Sequence, residues 1–205
     1  MLGDLFDAWI GDDQLREPLA ERVSAALRGI ANTGVPVGVM AGNRDFLLGE
    51  RFADASGAML LPEKIVINLA GTPTLLLHGD ELCTGDVGYQ RFRAVARNPK
   101  YQRRFLALPY VVRRGIAAWL RRRSGTATAA KPETILDVEN RAVETAFRAS
   151  NVTRIIHGHT HRPAHHHLVV DGRDRDRWVL ADWYDSGSYL EFDADGGRAR
   201  DVPAK

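Results

Sequence analysis

Apolar and polar residues alternate along this chain with two different periods. Apolar positions in residues 15–33 recur every three or four residues, which predicts an amphipathic helix, whereas Val35–Met40 is a short apolar run typical of a buried strand. The Gly71-Thr72-Pro73 turn between two apolar runs predicts a hairpin. The same reasoning predicts helices at 52–57 and 134–150 and strands at 152–156, 168–170, 177–183 and 188–192. This order predicts an α/β fold that ends in β-hairpins.

Residues 84–131 stand apart from the rest of the chain by their charge. They contain twelve Lys or Arg and a single acid, Asp86, whereas the whole chain has a net charge of only +2. The segment is mostly helical in pattern, and Pro99 and Pro109 should break it into separate helices. A basic block of this density indicates an anionic partner. We expect it to form a cap over one edge of a two-sheet core.

The composition is that of a soluble globular protein, with 44% hydrophobic and 26% charged residues among 205. That length suits one domain with a substantial core. One cysteine excludes an internal disulfide, and no apolar run reaches the ~20 residues that a membrane-spanning helix needs. The expected division is a core of residues 1–83 and 132–205 and an inserted cap of residues 84–131.

Four apolar runs end at an Asp, Asn or His that stands beside a glycine. These ends are Gly3-Asp4, Gly42-Asn43-Arg44-Asp45, His78-Gly79-Asp80 and His157-Gly158-His159. In open α/β proteins, ligand groups collect at the carboxyl ends of strands. Oxygen and imidazole donors together suit Mn²⁺, Fe or Zn, and a pair of such metals can clamp the oxygens of a phosphoryl group. The pattern therefore predicts a hydrolytic centre with two metals.

Each of these residues also has a simpler structural interpretation. His78 alone would more often be a core histidine, and Asn43-Arg44-Asp45 alone could be an ordinary turn. His165-His166-His167 alone would more often be a solvated strand edge. Asp45 and Asp80 could cap or pair locally, and Asp7, Asp12 and Asp13 could be surface or helix-start acids. The metal centre is favoured because four strand ends carry the required residue types in one chain.

These four motifs resemble those of the calcineurin-type metallophosphoesterases. The residues around them, Leu2–Asp13, Gly42–Gly49, His78–Thr84 and His157–Pro163, closely resemble the UDP-2,3-diacylglucosamine diphosphatase family of lipid A biosynthesis. The resemblance extends from residue 1 to about Phe192. It implies a two-sheet β-sandwich flanked by helices, with the basic block as its inserted helical cap.

The resemblance also implies roles for individual residues. Asp4 would bridge two divalent metals, with Mn²⁺ as the expected ion. Asn43, His78 and His157 would complete one metal site, and His159 would join the other. Asn43 and Arg44 would be the catalytic residues. Substrate contacts are implied for Asn43, Arg44, Asp86, Ser124, Thr128, Lys131 and His157.

The implied reaction is hydrolysis of UDP-2,3-diacylglucosamine to UMP and 2,3-diacylglucosamine 1-phosphate. A metal-activated water would attack the α-phosphorus. The acyl chains would lie against apolar residues of the cap. The protein would be cytoplasmic and peripheral on the anionic surface of the inner membrane, and no nucleic-acid partner is expected.

One feature of the family is not found in this chain. The family begins with a strand that ends in Asp-x-His, and we expect such a strand upstream of Met1. We also expect the 205-residue form to be poorly active and prone to aggregation. Two alternatives stay open: a metallophosphatase or nuclease of the same superfamily with another substrate, and an inactive truncated remnant.

Overall fold

The computed structural model describes residues 1–129, 137–184 and 187–202, and the side chains of all of these except 125–129. The chain forms two compact units. The first contains Met1, Gly3–Pro62 and the described part of Asp86–Leu136. The second contains Leu2, Glu63–Gly85 and the described part of Asp137–Lys205. The division into a core and an inserted cap stays a prediction.

The first unit combines a small parallel sheet with five helices among its described residues. The sheet pairs β1 (Gly38–Met40) with β2 (Met59–Leu61), and the backbone of Met1 bonds to β1 through Gly38 O and Met40 N. The helices are α1 (Pro18–Asn32), α2 (Glu50–Ser56), α3 (Val87–Ala96), α4 (Pro99–Leu106) and α5 (Tyr110–Ala129). Strand β1 is shorter than predicted, because Pro36 has no N–H with which to continue the ladder.

The core of the first unit is built around three aromatic rings. Phe6, Trp9 and Phe52 lie with ring centroids 4.6–5.9 Å apart, and all three are buried. The carboxylate of Asp12 accepts hydrogen bonds from the Trp9 indole and from the backbone N–H groups of Gly49, Arg51 and Phe52. Asp12 is therefore a helix-start residue, and the helix that it stabilises is α2.

Two prolines divide the basic block where the sequence predicts breaks. Pro99 occupies the first turn of α4 and Pro109 directly precedes α5, positions at which the missing N–H costs nothing. The Arg113 guanidinium on α5 is buried, where it bonds to Ile10 O, Leu108 O and the Asp13 carboxylate. These bonds attach α5 to the segment that precedes α1.

The second unit contains a five-stranded mixed sheet in the order β3-β4-β5-β7-β6. It also contains a hairpin of β8 and β9, the helix α6 and a short 3₁₀ helix at Asp80–Leu82. The bounds are β3 Lys64–Leu69, β4 Thr72–Leu77, β5 Arg154–His157, β6 Ala164–Val170, β7 Arg173–Val179, β8 Gly187–Asp193, β9 Gly196–Val202 and α6 Asn140–Ser150. Phe147 and Val143 of α6 pack against Leu75, Leu77 and Ile155 of the sheet.

The predicted α/β class is confirmed, with some shifts in element bounds. Asp171 and Gly172, both at positive φ, form the hairpin turn between β6 and β7. Helix α6 begins at Asn140, so the predicted helix is wrong over residues 137–139. The Glu139 N–H donates to Leu82 O there instead of to a helical partner. Residues 134–136 of the predicted helix lie outside the described part of the chain. Among the described helices, none is both long and apolar enough to cross a bilayer.

Candidate metal centre

Three of the predicted metal ligands lie at one edge of the sheet in the second unit. Strands β4 and β5 are parallel neighbours, so their carboxyl ends meet at the same edge. His78 directly follows β4, His157 ends β5, and His159 comes two residues later. The Gly158 N–H donates to His78 O at 2.8 Å, and the His78 and His159 ring centroids are 5.1 Å apart. The predicted meeting of these two strand ends is therefore observed.

A glycine makes this close approach of the two strand ends feasible. Gly79 has φ 114°, a backbone conformation that favours glycine. A Cβ atom at this position would lie 2.8 Å from His157 Nδ1 and 3.0 Å from Gly158 O. Any larger residue would push the β4 end away from the β5 end.

The tautomer of His78 is set by a backbone carbonyl. His78 Nδ1 lies 2.7 Å from Leu2 O, which can only accept, so the proton resides on Nδ1 and the lone pair on Nε2. A histidine oriented in this way is typical of metal ligands, which commonly donate one ring N–H to a carbonyl.

His157 is fully buried and bonded through both ring nitrogens. Its Nδ1–H donates to Gly158 O at 2.9 Å, and its Nε2 accepts from the Arg177 guanidinium at 3.0 Å. Burial, with a contribution from the Arg177 charge, lowers the pKa of His157 to about 4. Because Arg177 occupies Nε2 in this arrangement, the role of His157 as a metal ligand stays a prediction.

His159 is also held in its neutral form. Burial and the neighbouring His78 lower its pKa to about 3, and its backbone has a positive φ of 69°. A neutral imidazole is the form that binds a metal. The donor set of this edge therefore fits a divalent metal on its chemistry.

In the first unit, a buried carboxylate organises the two loops that carry the other predicted ligands. Asp45 accepts hydrogen bonds from Gly42 N at 2.6 Å and Leu5 N at 2.7 Å, and longer ones from Asp4 N and Phe6 N. Burial, followed by the charge of Asp4, raises the pKa of Asp45. The sequence predicts only a local cap at Asp45. Its hydrogen bonds reach further, to the loop that contains Asp4.

Asp4 lies directly against the loop that contains Asn43. Its Oδ1 accepts from Arg44 N at 2.9 Å, and its Oδ2 lies 3.6 Å from Arg44 Nε. A Cβ atom on Gly42 would lie 2.2 Å from Asp4 Oδ1 and 2.3 Å from Asp4 N. Asp4 and Asn43, both predicted ligands, are therefore carried on loops in contact, and Gly42 is required at that contact.

Arg97 supports the same loop from the basic block. Its Nη2 donates to Gly42 O at 2.9 Å and to Ala41 O at 3.2 Å, and its guanidinium lies 5.8 Å from the centre of the Phe46 ring. From the sequence, Arg97 is predicted only to belong to the basic helical block. The contact joins residues far apart in sequence, so the local pattern gave no signal for it.

Comparison with known proteins identifies the family. The chain is 51% identical over 198 residues to a UDP-2,3-diacylglucosamine hydrolase of Nitrosococcus oceani, covering 96% of this chain and 78% of that protein. It is 48% identical over 195 residues to the UDP-2,3-diacylglucosamine hydrolase of Escherichia fergusonii, covering 95% and 81%. The chain belongs to the UDP-2,3-diacylglucosamine hydrolase family. The resemblance to this family and the predicted hydrolase class are thereby confirmed.

Two other comparisons add little to the assignment to the hydrolase family. No protein-family profile matches the chain. Among solved structures, an archaeal phosphodiesterase is similar over 92% of this chain and 79% of its own, with 11% identity and a TM-score of 0.43.

Four of the predicted substrate contacts, Asp86, Ser124, Thr128 and Lys131, belong to the basic block. The Asp86 carboxylate accepts from Tyr89 N at 3.0 Å and so caps α3, and Ser124 is exposed on α5. The Thr128 side chain and all of Lys131 lie outside the described residues. These assignments, like those of the metal ligands, stay predictions.

Proposed function

We propose that this chain hydrolyses the diphosphate bond of UDP-2,3-diacylglucosamine, giving UMP and 2,3-diacylglucosamine 1-phosphate. One observation carries the proposal: about half of the residues are identical, over 95% or more of the chain, to relatives named for that hydrolysis. The strand-end arrangement of Asp and His side chains supports it, because hydrolysis of a phosphoric anhydride needs cationic centres and a positioned water.

We further propose that the chain binds two divalent metals, with Mn²⁺ as the physiological ion. The proposed ligands are Asp4, Asn43, His78, His157 and His159. Support comes from the mixture of carboxylate, amide and imidazole donors, which suits Mn²⁺ better than it suits Ca²⁺ or a thiolate-binding metal. When bound, the two ions supply Lewis-acid polarisation of the phosphoryl oxygens and lower the pKa of water.

Arg44 is proposed to stabilise the negative charge that grows on the phosphoryl oxygens. Its side chain is 34% exposed and lies between two carboxylates, 3.6 Å from Asp4 and 2.9 Å from Asp7. These two acids hold the guanidinium in one orientation before substrate arrives, and a preoriented planar donor loses little entropy on binding an oxyanion. Asn43, the preceding residue, is proposed to contribute its side-chain amide to the same group.

The acyl chains and the rest of the substrate are proposed to bind to the basic block. In the first unit, a cavity of about 310 Å³ lies between residues 6–19 and α5, with Phe6, Ile10, Ala117 and Ala118 in its lining. Arg114 and Arg121 line the same cavity, as do the acids Asp7 and Glu17. Its apolar wall suits a fatty acyl chain, and its two arginines suit the anionic head group to which that chain is joined. Asp86, Ser124, Thr128, Lys131 and His157 are proposed to contact the polar parts of the substrate.

The same helices are proposed to attach the enzyme to the cytoplasmic face of the inner membrane. Several of their apolar side chains are exposed, including Val87, Val95, Val111 and Trp119. They are interspersed with arginines, and this combination is typical of helices that lie on an anionic lipid surface.

The test is release of UMP from UDP-2,3-diacylglucosamine by the purified chain. We expect detectable release with Mn²⁺ and none after treatment with EDTA. Arg44→Ala should reduce kcat by about 10²- to 10³-fold, in line with the loss of one preorganised donor to a developing oxyanion. Arg22→Ala, which removes an exposed arginine of α1, is the matched control and should leave the rate unchanged. Failure to release UMP with Mn²⁺, or equal rates for the two variants, would contradict the proposal.

A further inference from the structure

A second group of metal-type side chains lies on the edge strand β6, away from the strand ends. His165 and His167 are two residues apart, so both side chains point to the same face of the sheet. Their partners on β7 are Trp178 and Asp176, which share that face. His166, between them, points to the other face. The sequence predicts a solvated edge here, and the exposure of His165 and His167 confirms that.

The three polar side chains of this face converge on one point. His165 Nε2 lies 3.1 Å and His167 Nδ1 lies 2.9 Å from the same oxygen, Oδ1 of Asp176. The two imidazole ring centroids are 4.3 Å apart, and a ligand atom from each of the three residues lies within 4.8 Å of those of the other two. Ligand atoms around one tetrahedral Zn²⁺ lie about 3.3 Å apart, given Zn–N distances of about 2.0–2.1 Å. Small side-chain rotations would therefore bring all three to one ion.

An aromatic stack orients the first of these imidazoles. The His165 ring lies parallel to Trp178, with centroids 3.7 Å apart and planes 15° apart. Trp178 in turn packs edge-on against Phe192 of the β8–β9 hairpin, and the Arg154 guanidinium covers the Phe192 ring. Because this stack restricts the rotamers of His165, less side-chain entropy is lost when a metal binds.

We propose that His165, His167 and Asp176 form a surface site for one divalent transition-metal ion such as Zn²⁺ or Cu²⁺. Two imidazoles and one carboxylate form a donor set that these ions prefer over Mg²⁺ or Ca²⁺. The His167 side chain is 78% exposed, so water completes the coordination. A cavity of about 370 Å³ lined by His167, Asp174 and Asp176 adjoins the site and brings a second carboxylate near it.

This site is separate from the proposed catalytic centre. In the second unit, β7 lies between β5, which ends in His157, and β6, which carries the histidine pair. The face also differs, because His157 lies opposite Val179 of β7, whereas His165 and His167 lie opposite Trp178 and Asp176, which point to the other side. Metal bound on β6 would therefore not compete with the centre at the strand ends for protein ligands.

The test is the number of Zn²⁺ ions bound per chain, measured by equilibrium dialysis at pH 7.5. The doubly substituted chain, His165→Ala with His167→Ala, should bind one ion fewer than the wild type. Asp176→Asn should weaken binding at this site by about tenfold or more. The matched control is His166→Ala, which removes an imidazole from the opposite face of the same strand and should leave the number of bound ions unchanged.

A second measurement separates metal binding from a simple ion-pair cluster. Cu²⁺ added to the protein should give an electron paramagnetic resonance spectrum with splitting from two imidazole nitrogens, and the double variant should lose that species. Circular dichroism would confirm that the variants are folded. Equal Zn²⁺ stoichiometry in the wild type and the double variant would overturn the proposal and leave only a hydrogen-bonded His–Asp cluster. Loss of the ion in the His166→Ala control would overturn it equally.

Discussion

At the scale of single residues, Gly42 is where the Asp4 loop and the Asn43 loop are closest. A Cβ there would lie 2.2–2.3 Å from atoms of Asp4, one of them a backbone nitrogen that cannot move aside cheaply. We therefore expect Gly42→Ala to lower the melting temperature by several degrees and to weaken Mn²⁺ binding. Thermal unfolding followed by circular dichroism, with and without Mn²⁺, would measure both effects.

Gly29 provides the matched control for this substitution. It is an exposed glycine inside α1, and a Cβ there would meet nothing within 4 Å. Gly29→Ala should stabilise the protein slightly, by about 0.5–1 kcal/mol, because alanine loses less backbone entropy than glycine in a helix. Similar melting temperatures for the two variants would show that the Gly42 contact is not tight.

The buried neutral state of His157 makes stability depend on pH. Its pKa falls from 6.5 in the unfolded chain to about 4 in the folded protein, so between these values the unfolded state binds the extra proton. The contribution of His157 to the free energy of unfolding is therefore fully present above pH 6.5 and is lost as the pH falls toward 4. Between pH 8 and pH 5 the loss from His157 should be about 2 kcal/mol.

Urea unfolding in EDTA at the two pH values would measure this dependence. In His157→Gln the difference between the free energies of unfolding at pH 8 and pH 5 should shrink by about the same amount. Because other groups also titrate in this range, the informative quantity is the change in slope between wild type and variant. An unchanged slope would mean that His157 is not held neutral by the fold.

The donors at the strand ends could be predicted from sequence because each is a local signal. An apolar run, a glycine and a polar residue at the end of the run are adjacent in the chain, as at His78-Gly79 and His157-Gly158. The residues that hold those donors could not be predicted in this way. Asp45, Arg97 and Arg177 act on groups 20 or more positions away, and only the folded chain brings them together.

At the scale of elements, a buried arginine is one of three α5 side chains, with Tyr110 and Arg121, that bond to the segment before α1. Arg113 bonds to Ile10 O, Leu108 O and the Asp13 carboxylate, and the ion pair lowers the pKa of Asp13. Replacing Arg113 by Ala would leave the buried backbone acceptors without this donor, whereas the partly exposed Asp13 carboxylate could be solvated. The expected loss is about 1–3 kcal/mol, the usual cost of leaving buried acceptors unpaired.

The neighbouring Arg114 is exposed and serves as the control for this substitution. Arg114→Ala should change the free energy of unfolding by less than about 0.5 kcal/mol, as is usual for surface positions. Denaturant titration of both variants would measure the difference. Equal stability of the two variants would contradict a stabilising role for the buried bonds of Arg113.

The sequence predicts elements well where a strong local signal marks their ends. Pro99 and Pro109 set the starts of α4 and α5, and Gly57, at φ 69°, ends α2. The sequence predicts the end of an element poorly where a hydrogen bond between residues far apart in the chain decides it. Helix α6 starts late because the Glu139 N–H bonds to Leu82 O, a partner that periodicity cannot reveal.

At the scale of the whole molecule, the proposed metal ligands come from both compact units. Asp4 and Asn43 belong to the first, and His78, His157 and His159 belong to the second. In the first unit, Asp45 and Gly42 hold together the loops that carry Asp4 and Asn43. In the second unit, Gly79 and the Leu2 carbonyl position His78 and His157. The central claim is that the five proposed ligands, Asp4, Asn43, His78, His157 and His159, bind divalent metal ions.

The most direct test of that claim is an anomalous difference map from crystals of this chain grown with Mn²⁺. The account predicts two manganese peaks within bonding distance of residues among Asp4, Asn43, His78, His157 and His159. A map with no manganese peak at these residues at saturating Mn²⁺ would contradict it.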